Sequence, residues 1–362
     1  MDWFTEQVGA KVIADENHKA TGAAATLMGS EAAEGAAAVR RLLDANIDTL
    51  RELGAVLRAT PPSLVATCAR GSSDHAATYG KYLIETLLGV PVASAAPSVV
   101  SVFSAPVVAG GALCIAISQS GRSPDLLATA EAYKKSGARL VAFVNDETSP
   151  LAAMADTYIA LKAGPEKSVA ATKSYIVSLA GLAALVAEWA DDDALRAAVQ
   201  GLPDLLAKAN GLDWSAAVEA LRDARNLFTI GRGYTFGIAQ EAALKFKETC
   251  GLHAEAFSAA EVKHGPMAIV RDGFPVLAFA GSDTAGDGVR DTAAVFADRG
   301  ARVCLADAKA DGASTLPALQ AHPVIEPILM IQSFYHMANA LSVARGHDPD
   351  RPLFLSKVTE TR

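Results

Sequence analysis

The chain has little cysteine, few aromatic residues and no excess of positive charge. Its 362 residues include four cysteines, which are far apart: Cys68, Cys114, Cys250 and Cys304. Three of them lie in apolar, strand-like runs, so we expect reduced core residues rather than disulfide partners. No two histidines or cysteines have metal-ligand spacing, and we therefore expect no metal site.

Two further absences restrict the class of protein. The net charge is −8 and no basic patch or basic tail is visible, so we expect no nucleic-acid partner. The first residues are too polar for a signal peptide, and no apolar run approaches the length of a membrane span. These features predict a cytoplasmic protein without a membrane partner.

The pattern of what is present indicates an α/β fold. Hydrophobic residues make up 51% of the chain and charged residues 20%. Two helices, one from Thr26 and one over about Ile47–Leu57, precede a series of short buried strands and helices. Leu64–Cys68, Gly111–Ile117 and Arg139–Val144 are the clearest strands of the first half. This alternation predicts a parallel sheet with helices on both faces.

The second half of the chain repeats the first. Arg70 and Arg232, and likewise Ser120 and Ser282, are separated by about 162 residues. We interpret this offset as a tandem duplication, although one large sheet is the alternative. The predicted organisation is an N-terminal helical segment (1–45), two similar domains (46–195 and 215–345) and a C-terminal tail (346–362).

A hydroxyl-rich turn follows the apolar run that ends at Ile117. It comprises Ser118–Ser123, contains Gly121, and is followed by a helix that starts at Pro124. Backbone N–H groups at a helix start favour an anion, and serine hydroxyls add donors. From the residues alone, an anion site and a serine-rich turn that only caps its helix are equally acceptable.

Ionisable residues also cluster between residues 241 and 266. Glu241, Lys245 and Glu248 fall on one face of a predicted helix that ends at Gly251. His253 and His264 follow in a polar segment that ends in Gly265-Pro266. A solvated helix face with a polar loop is the ordinary explanation of such a stretch.

The order of these residues nevertheless resembles a known family. This stretch is similar to the isomerase part of glucosamine-6-phosphate synthases, within the sugar isomerase (SIS) domain superfamily. The resemblance lies in three motifs in order: E-x-A-L-K-x-K-E, then H-A-E-A, then E-x-K-H-G-P. Further motifs extend the resemblance over residues 26–362. They are I-S-Q-S-G-x-S, A-G-x-E with V-A-A-T-K, and the tail D-x-P-x-x-L-x-K. It implies tandem SIS domains, each a doubly wound parallel sheet in a flavodoxin-like three-layer α/β/α arrangement.

The resemblance also implies a substrate, a sugar 6-phosphate, and residues that bind it. Two positions depart from the synthase pattern, since Arg122 replaces a common Glu and Ala171 a common Ser. The implied substrate-binding residues are Gly71, Ser72, Ser73, Ser118, Gln119, Ser120, Ser123, Val169, Ala170, Glu241 and His253.

Four residues acquire catalytic roles through the resemblance. Glu248 would move a proton between carbons 1 and 2, with Lys245 beside it, and Lys357 in the tail would engage the open-chain carbonyl. His264 would open the sugar ring in the neighbouring subunit, which implies a homodimer with shared active sites. For His253 a structural and a catalytic role are equally acceptable. No cofactor is implied.

Residue 2 is Asp and no cysteine precedes Cys68, so we expect no glutamine hydrolysis through an N-terminal cysteine. The expected activity is therefore a deaminase that converts glucosamine 6-phosphate to fructose 6-phosphate and ammonia. The alternatives within the enzyme class are an aldose–ketose phosphosugar isomerase, an ammonia-dependent synthase and a fructosamine-6-phosphate deglycase. A noncatalytic phosphosugar sensor is the alternative of another class.

Overall fold

The computed structural model describes residues 26–309, 316–355 and 357. Of the predicted N-terminal helical segment, only the part from residue 26 is described. The described part contains two parallel sheets with helices on their faces, so the predicted α/β fold is confirmed.

The first sheet has five strands in the order β2-β1-β3-β4-β5, and all neighbouring strands are parallel. The two strands at its centre, β3 and β1, are buried at every position, as expected for a sheet covered on both faces. The strands are β1 (Val65–Cys68), β2 (Val92–Ser94), β3 (Leu113–Ser118), β4 (Arg139–Val144) and β5 (Thr157–Ala160).

The second sheet reproduces this topology in the order β10-β9-β8-β6-β7. Counted from its own first strand, it has the same neighbours as the first sheet, and every pair is again parallel. The predicted tandem duplication is thereby confirmed. The strands are β6 (Asn226–Gly231), β7 (His253–Ser258), β8 (Pro275–Ala280), β9 (Arg302–Asp307) and β10 (Leu316–Pro317).

Twelve helices are described, together with three short 3₁₀ segments (Gly233–Thr235, Glu261–His264 and Pro266–Ile269). The helices are α1 (Leu27–Ala33), α2 (Gly35–Ala59), α3 (Ser72–Leu88), α4 (Pro97–Ser101), α5 (Pro124–Lys135), α6 (Pro150–Met154), α7 (Lys173–Ala190), α8 (Asp193–Ala209), α9 (Ser215–Leu221), α10 (Phe236–Cys250), α11 (Thr284–Asp298) and α12 (Glu326–Ala344).

Two helices differ from the sequence-based expectation. The predicted helix at Ile47–Leu57 is the second half of α2, which runs unbroken for 25 residues because nothing between residues 44 and 47 ends it. α7 is long and apolar enough to cross a membrane, contrary to the expectation that no run approaches that length. Because 94% of α7 is buried inside the protein, it is a core helix.

One close contact joins the two repeats at the site described below. α10 of the second repeat packs against α3 of the first, and Gly237 lies at the contact. A Cβ atom on Gly237 would come within 2.7 Å of the His75 carbonyl oxygen and 3.1 Å of the Tyr79 nitrogen. Glycine therefore permits the approach that brings the rest of α10 to the first repeat.

Candidate active site

A cavity of about 380 Å³ opens where β1 and β3 end. These strands are the neighbours at which the order of the first sheet reverses, the usual position of a ligand site in a doubly wound fold. α10 of the second repeat closes the opposite side. The cavity is lined by eleven of the predicted site residues: Gly71, Ser72, Ser73, Ser118, Gln119, Ser120, Ser123, Val169, Lys245, Glu248 and Lys357.

The serine-rich turn after β3 is held in a fixed shape. The Gly121 N–H donates to Ser118 Oγ over 3.0 Å. Gly121 has φ +62°, and a Cβ atom there would lie 2.3 Å from Ser149 Oγ, so only glycine suits the position. Ser123 precedes α5 without capping it through its side chain. The turn therefore combines hydroxyls with the uncapped start of a 12-residue helix, as an anion site requires.

Two arginines border this turn and are both paired. Arg70 lines the cavity, and its Nε lies 3.0 Å from Oδ2 of the fully buried Asp125. Arg122 lies outside the cavity wall and donates to Asp146 over 2.8 Å. Hydrogen bonds from Thr148 and Arg122 lower the pKa of Asp146 to about 2. Arg122 thus anchors the turn, and Arg70 is the guanidinium group that faces the cavity.

Lys245 joins two carboxylates on α10. Its Nζ lies 2.5 Å from Glu248 Oε2 and 3.3 Å from Glu241 Oε1, and its side chain is 1% exposed. Burial alone would lower the pKa of Lys245, but the charges of Glu241 and Glu248 outweigh it and the pKa is raised. Glu248 is 22% exposed at the cavity wall, so the charged lysine holds a carboxylate that a ligand can reach.

Glu241 lies behind the wall, with no exposed side-chain surface. Besides Lys245, its carboxylate has three hydrogen-bond partners at 3.0 Å: Ser72 Oγ, His75 Nδ1 and the Tyr335 hydroxyl. Burial would raise its pKa, but Lys245 and His75 outweigh burial and the pKa is lowered. Ser72 and His75 belong to α3, so Glu241 fixes α10 against the first repeat.

Lys357 reaches the cavity from the C-terminal tail. Its Nζ donates to the Ser168 carbonyl oxygen over 2.6 Å and lies 3.5 Å from Glu166 Oε2. Glu166 is buried and also accepts from the Thr172 and Ser174 backbone N–H groups at 2.9 and 3.1 Å. The loop before α7 therefore provides a carboxylate and a carbonyl that hold the tail lysine at the cavity.

The helices α1 and α2 hold this loop from behind. Glu31 accepts from the Lys167 and Ser168 N–H groups, and Glu34 forms a 2.7 Å ion pair with Lys173, which is 1% exposed. The M-x-x-E-x-x-E pattern of the sequence, Met28-Glu31-Glu34, thus supports the loop without entering the cavity.

Four predicted site residues do not line the cavity of one chain. Ala170 is buried, while its neighbours Val169 and Ala171 form the wall. Glu241 is buried as described. His253, at the start of β7, and His264, in the 3₁₀ segment Glu261–His264, are exposed, and their roles stay predictions.

Ten lining residues were not predicted, and five of them have polar or ionisable side chains: Arg70, Glu166, Ser174, Tyr175 and Ser178. Arg70 and Glu166 are part of motifs recognised in the sequence, but their side chains received no role there. The other three come from the start of α7, where Ser174 and Ser178 are polar residues four apart in an otherwise apolar helix. That spacing is the signal that could have indicated them.

The SIS domain family matches residues 64–188 and 220–343. Glutamine–fructose-6-phosphate aminotransferase of Symbiobacterium thermophilum is 35% identical over 316 residues, which are 81% of this chain and 51% of that protein. The chain thus spans about half the length of the curated relatives it matches.

Solved structures agree with these sequence matches. A candidate phosphosugar isomerase from Silicibacter pomeroyi is 47% identical, with a TM-score of 0.85, over 90% of this chain and 100% of that one. The C-terminal domain of the aminotransferase from Francisella tularensis is 26% identical, with a TM-score of 0.76, over 91% of this chain and 98% of that one. With two matched segments, one for each sheet, the chain belongs to the SIS domain family as a tandem pair of SIS domains homologous to the isomerase domain of glutamine–fructose-6-phosphate aminotransferase.

Proposed function

We propose that the chain is an amino sugar phosphate deaminase that converts glucosamine 6-phosphate to fructose 6-phosphate and ammonia. One observation carries the proposal: a hydroxyl-lined anion site and the Lys245–Glu248 pair face the same cavity. A sugar 6-phosphate has its charge at one end and its reacting carbons at the other. A cavity with both an anion site and an ionisable pair therefore suits this class of substrate.

The chemistry follows from the position of Glu248. Once the ring is open, the Glu248 carboxylate takes the proton from carbon 2 and returns it to carbon 1. The carbon 2–nitrogen bond then becomes an imine, which water hydrolyses to the ketone and ammonia. Lys245 stays charged beside Glu248 and keeps the carboxylate in place. Lys357, held by Glu166 and Ser168, is the cation that meets the carbonyl end of the open sugar.

We propose that the amine leaves as ammonia into solution, and no thiol of this chain is suited to hydrolyse glutamine. All four cysteines are buried and free. Burial raises the pKa of Cys68 to about 12 and that of Cys250 and Cys304 to about 11, and it also raises that of Cys114. Such thiols are poor nucleophiles. We favour release of ammonia over its capture, since free ammonia is a scarce substrate.

Ring opening also needs a group that moves a proton between the ring oxygen and the anomeric hydroxyl. We propose that His264 of a second copy performs it, so that the active unit is a homodimer with shared sites. The exposed position of His264 supports this proposal. The free cysteines also suit a reducing, cytoplasmic location, which we include in the proposal.

A phosphosugar aldose–ketose isomerase is the second candidate. The observation that favours it is the 47% identity to a protein described as a candidate phosphosugar isomerase. The two activities share ring opening and proton transfer between carbons 1 and 2. They differ in whether carbon 2 carries nitrogen or oxygen.

An ammonia-release assay on glucosamine 6-phosphate, run beside its galactosamine and N-acetyl analogues, tests the proposal. We expect ammonia and fructose 6-phosphate in equal amounts from the glucosamine substrate. Glucose 6-phosphate and fructose 6-phosphate are assayed in parallel for interconversion. Interconversion without any ammonia release would establish the isomerase and exclude the deaminase.

A further inference from the structure

One residue of the cavity wall has a buried hydroxyl without a partner among the described residues. Tyr175, in the first turn of α7, lines the cavity and is only 2% exposed. Among the described residues, its hydroxyl oxygen makes no hydrogen bond. A buried hydroxyl without a partner costs roughly 1–3 kcal/mol, so such a group at a cavity calls for an explanation.

Two neighbouring hydroxyls of the cavity wall have partners inside the protein. Ser72 Oγ donates to Glu241 over 3.0 Å, and Ser178 Oγ donates to the Ser174 carbonyl oxygen over 2.8 Å. The other two fully buried tyrosines are also satisfied. The Tyr79 hydroxyl donates to the Val324 carbonyl oxygen over 2.8 Å, and that of Tyr335 donates to Glu241 over 3.0 Å. Among the described residues, Ser168 Oγ and Thr172 Oγ1, in the loop before α7, are also buried without a partner. Neither of these residues lines the cavity, so Tyr175 supplies the buried unpartnered hydroxyl among the described lining residues.

Contacts inside the protein link Tyr175 to the Lys245–Glu248 pair. Its ring packs edge-on against that of Tyr335, with ring centroids 6.5 Å apart. Tyr335 in turn bonds Glu241, the neighbour of Lys245. Burial, and then the Glu241 charge, raise the pKa of Tyr175 well above its usual value. Its hydroxyl is therefore neutral at physiological pH and available as a donor.

We infer that the Tyr175 hydroxyl is a substrate-binding group that donates a hydrogen bond to an oxygen of the sugar chain near the reacting carbons. The inference rests on the proposed function only in that the ligand is a sugar phosphate. It makes Tyr175 a specificity residue, because a buried donor rejects a substrate that lacks the matching acceptor.

The test compares Tyr175→Phe with Tyr79→Phe in the full chain. Affinities for glucosamine 6-phosphate, fructose 6-phosphate and inorganic phosphate are measured by calorimetry, and the melting temperature is recorded for each variant. We expect Tyr175→Phe to bind the sugar phosphates about 5- to 30-fold more weakly. Its affinity for inorganic phosphate should match the wild type, and its melting temperature should equal or exceed that of the wild type, because the variant removes an unpaired buried hydroxyl.

Tyr79→Phe is the matched control, since it removes a buried hydroxyl that does have a protein partner. It should lower the melting temperature and leave the three affinities unchanged. Deoxy sugar 6-phosphates then locate the partner oxygen: the analogue that lacks it should bind wild type and Tyr175→Phe equally.

Two results would overturn the inference alone. Tyr175→Phe could bind both sugar phosphates as tightly as the wild type, or its melting temperature could fall as that of Tyr79→Phe does, which would mean that the hydroxyl has a partner inside the protein. A wild type that binds neither sugar phosphate would overturn the proposed function together with the inference. Sugar phosphate binding without ammonia release would remove only the deaminase.

Discussion

At the scale of single residues, the site depends on one buried lysine between two carboxylates with different surroundings. Glu241 is enclosed by four partners, whereas Glu248 has Lys245 and an open side toward the cavity. A proton acceptor must reach its substrate, so we propose the exposed member, Glu248, as the base. The enclosed member keeps Lys245 in position.

Glu248→Gln should reduce turnover by about 10²–10⁴-fold while substrate affinity changes little. Glutamine keeps the size and can still bond Lys245, but it cannot accept the carbon 2 proton. In deuterated water, the wild type should introduce label into the product at carbon 1, and the variant should not. Glu255→Gln, which changes the same charge at an exposed site on β7, is the control and should behave as the wild type.

Label exchange at the wild-type rate in Glu248→Gln would exclude Glu248 as the base. Glu241 would not replace it, because four side chains already bond the Glu241 carboxylate and none of its surface is exposed. The search would then move to Lys357, an ionisable group that reaches the cavity from the C-terminal tail.

Sequence patterns predicted those residues whose role depends on local order. The turn Ser118–Ser123 and the helix with Lys245 and Glu248 both lie where the motifs placed them. The roles of Glu166 and Tyr175 could not be predicted from local order. Glu166 contacts a tail lysine 191 positions away in the chain. The role proposed for Tyr175 depends on an unpaired hydroxyl, which no sequence pattern reports. The resemblance implied that Glu241 binds substrate, because a motif gives a residue's place on the helix but not what covers it.

At the scale of secondary structure, the site is assembled by the contact of α10 with α3. Gly237 permits the close approach, and Glu241 bonds Ser72 and His75 across it. The same contact fixes the distance between the serine-rich turn and Glu248. The contribution of the Glu241 charge to the stability of this contact can be tested through the dependence of the free energy of unfolding on pH.

Glu241→Gln should lower the free energy of unfolding at pH 7 by roughly 3–5 kcal/mol, as expected when one partner of a buried ion pair is removed. The folded-state pKa of Glu241 is lowered. Its contribution is therefore present above the unfolded-state pKa, about 4.3, and is lost as the pH falls through the folded-state pKa. On acidification from pH 7, the variant should lose less stability than the wild type.

Urea unfolding at several pH values measures both effects. Glu131→Gln is the control, because Glu131 forms an exposed ion pair with Lys135 on α5 and such pairs contribute about 0–1 kcal/mol. If the free energy of unfolding falls equally steeply with decreasing pH in the wild type and in Glu241→Gln, the charge of Glu241 does not stabilise the α3–α10 contact.

Helix boundaries show where local patterns stop being informative. α2 continues through the position where two helices were predicted, and Asn46 near its middle donates to the Ala160 carbonyl oxygen at the end of β5. Asn46 is thus a polar residue in the middle of a helix whose side chain has its hydrogen-bond partner in a strand. α7 similarly resembles a membrane span until its neighbours are known.

At the scale of the whole molecule, shared sites predict a complementation experiment. Glu248→Gln and His264→Ala chains are each expected to be inactive. If His264 acts across subunits, an equal mixture after subunit exchange should recover about one quarter of wild-type activity, since half of the dimers are mixed and each mixed dimer has one intact site. Subunit exchange shown by a tag, without any recovered activity, would refute the shared site.

The duplication allows the serine-rich turn to be compared with its counterpart in the second repeat. That counterpart is the segment after β8. There the Ser282 N–H donates to Glu326 Oε2 over 2.7 Å, and the Ala321 N–H donates to Glu326 Oε1 over 3.1 Å. Glu326 is buried and has no exposed surface. A carboxylate of the protein thus occupies the position at which the first repeat would bind its anion.

This difference predicts one sugar phosphate per chain. Calorimetric titration with fructose 6-phosphate should give a stoichiometry of one. Ser120→Ala should weaken binding by roughly 1.5–3 kcal/mol, because it removes a hydrogen bond to a charged group. Ser282→Ala, the same change 162 positions later, should leave affinity unchanged, since the anion partner of that turn is Glu326. Two bound equivalents per chain, or equal losses in the two variants, would mean that both repeats bind phosphate and that Glu326 does not close the second site.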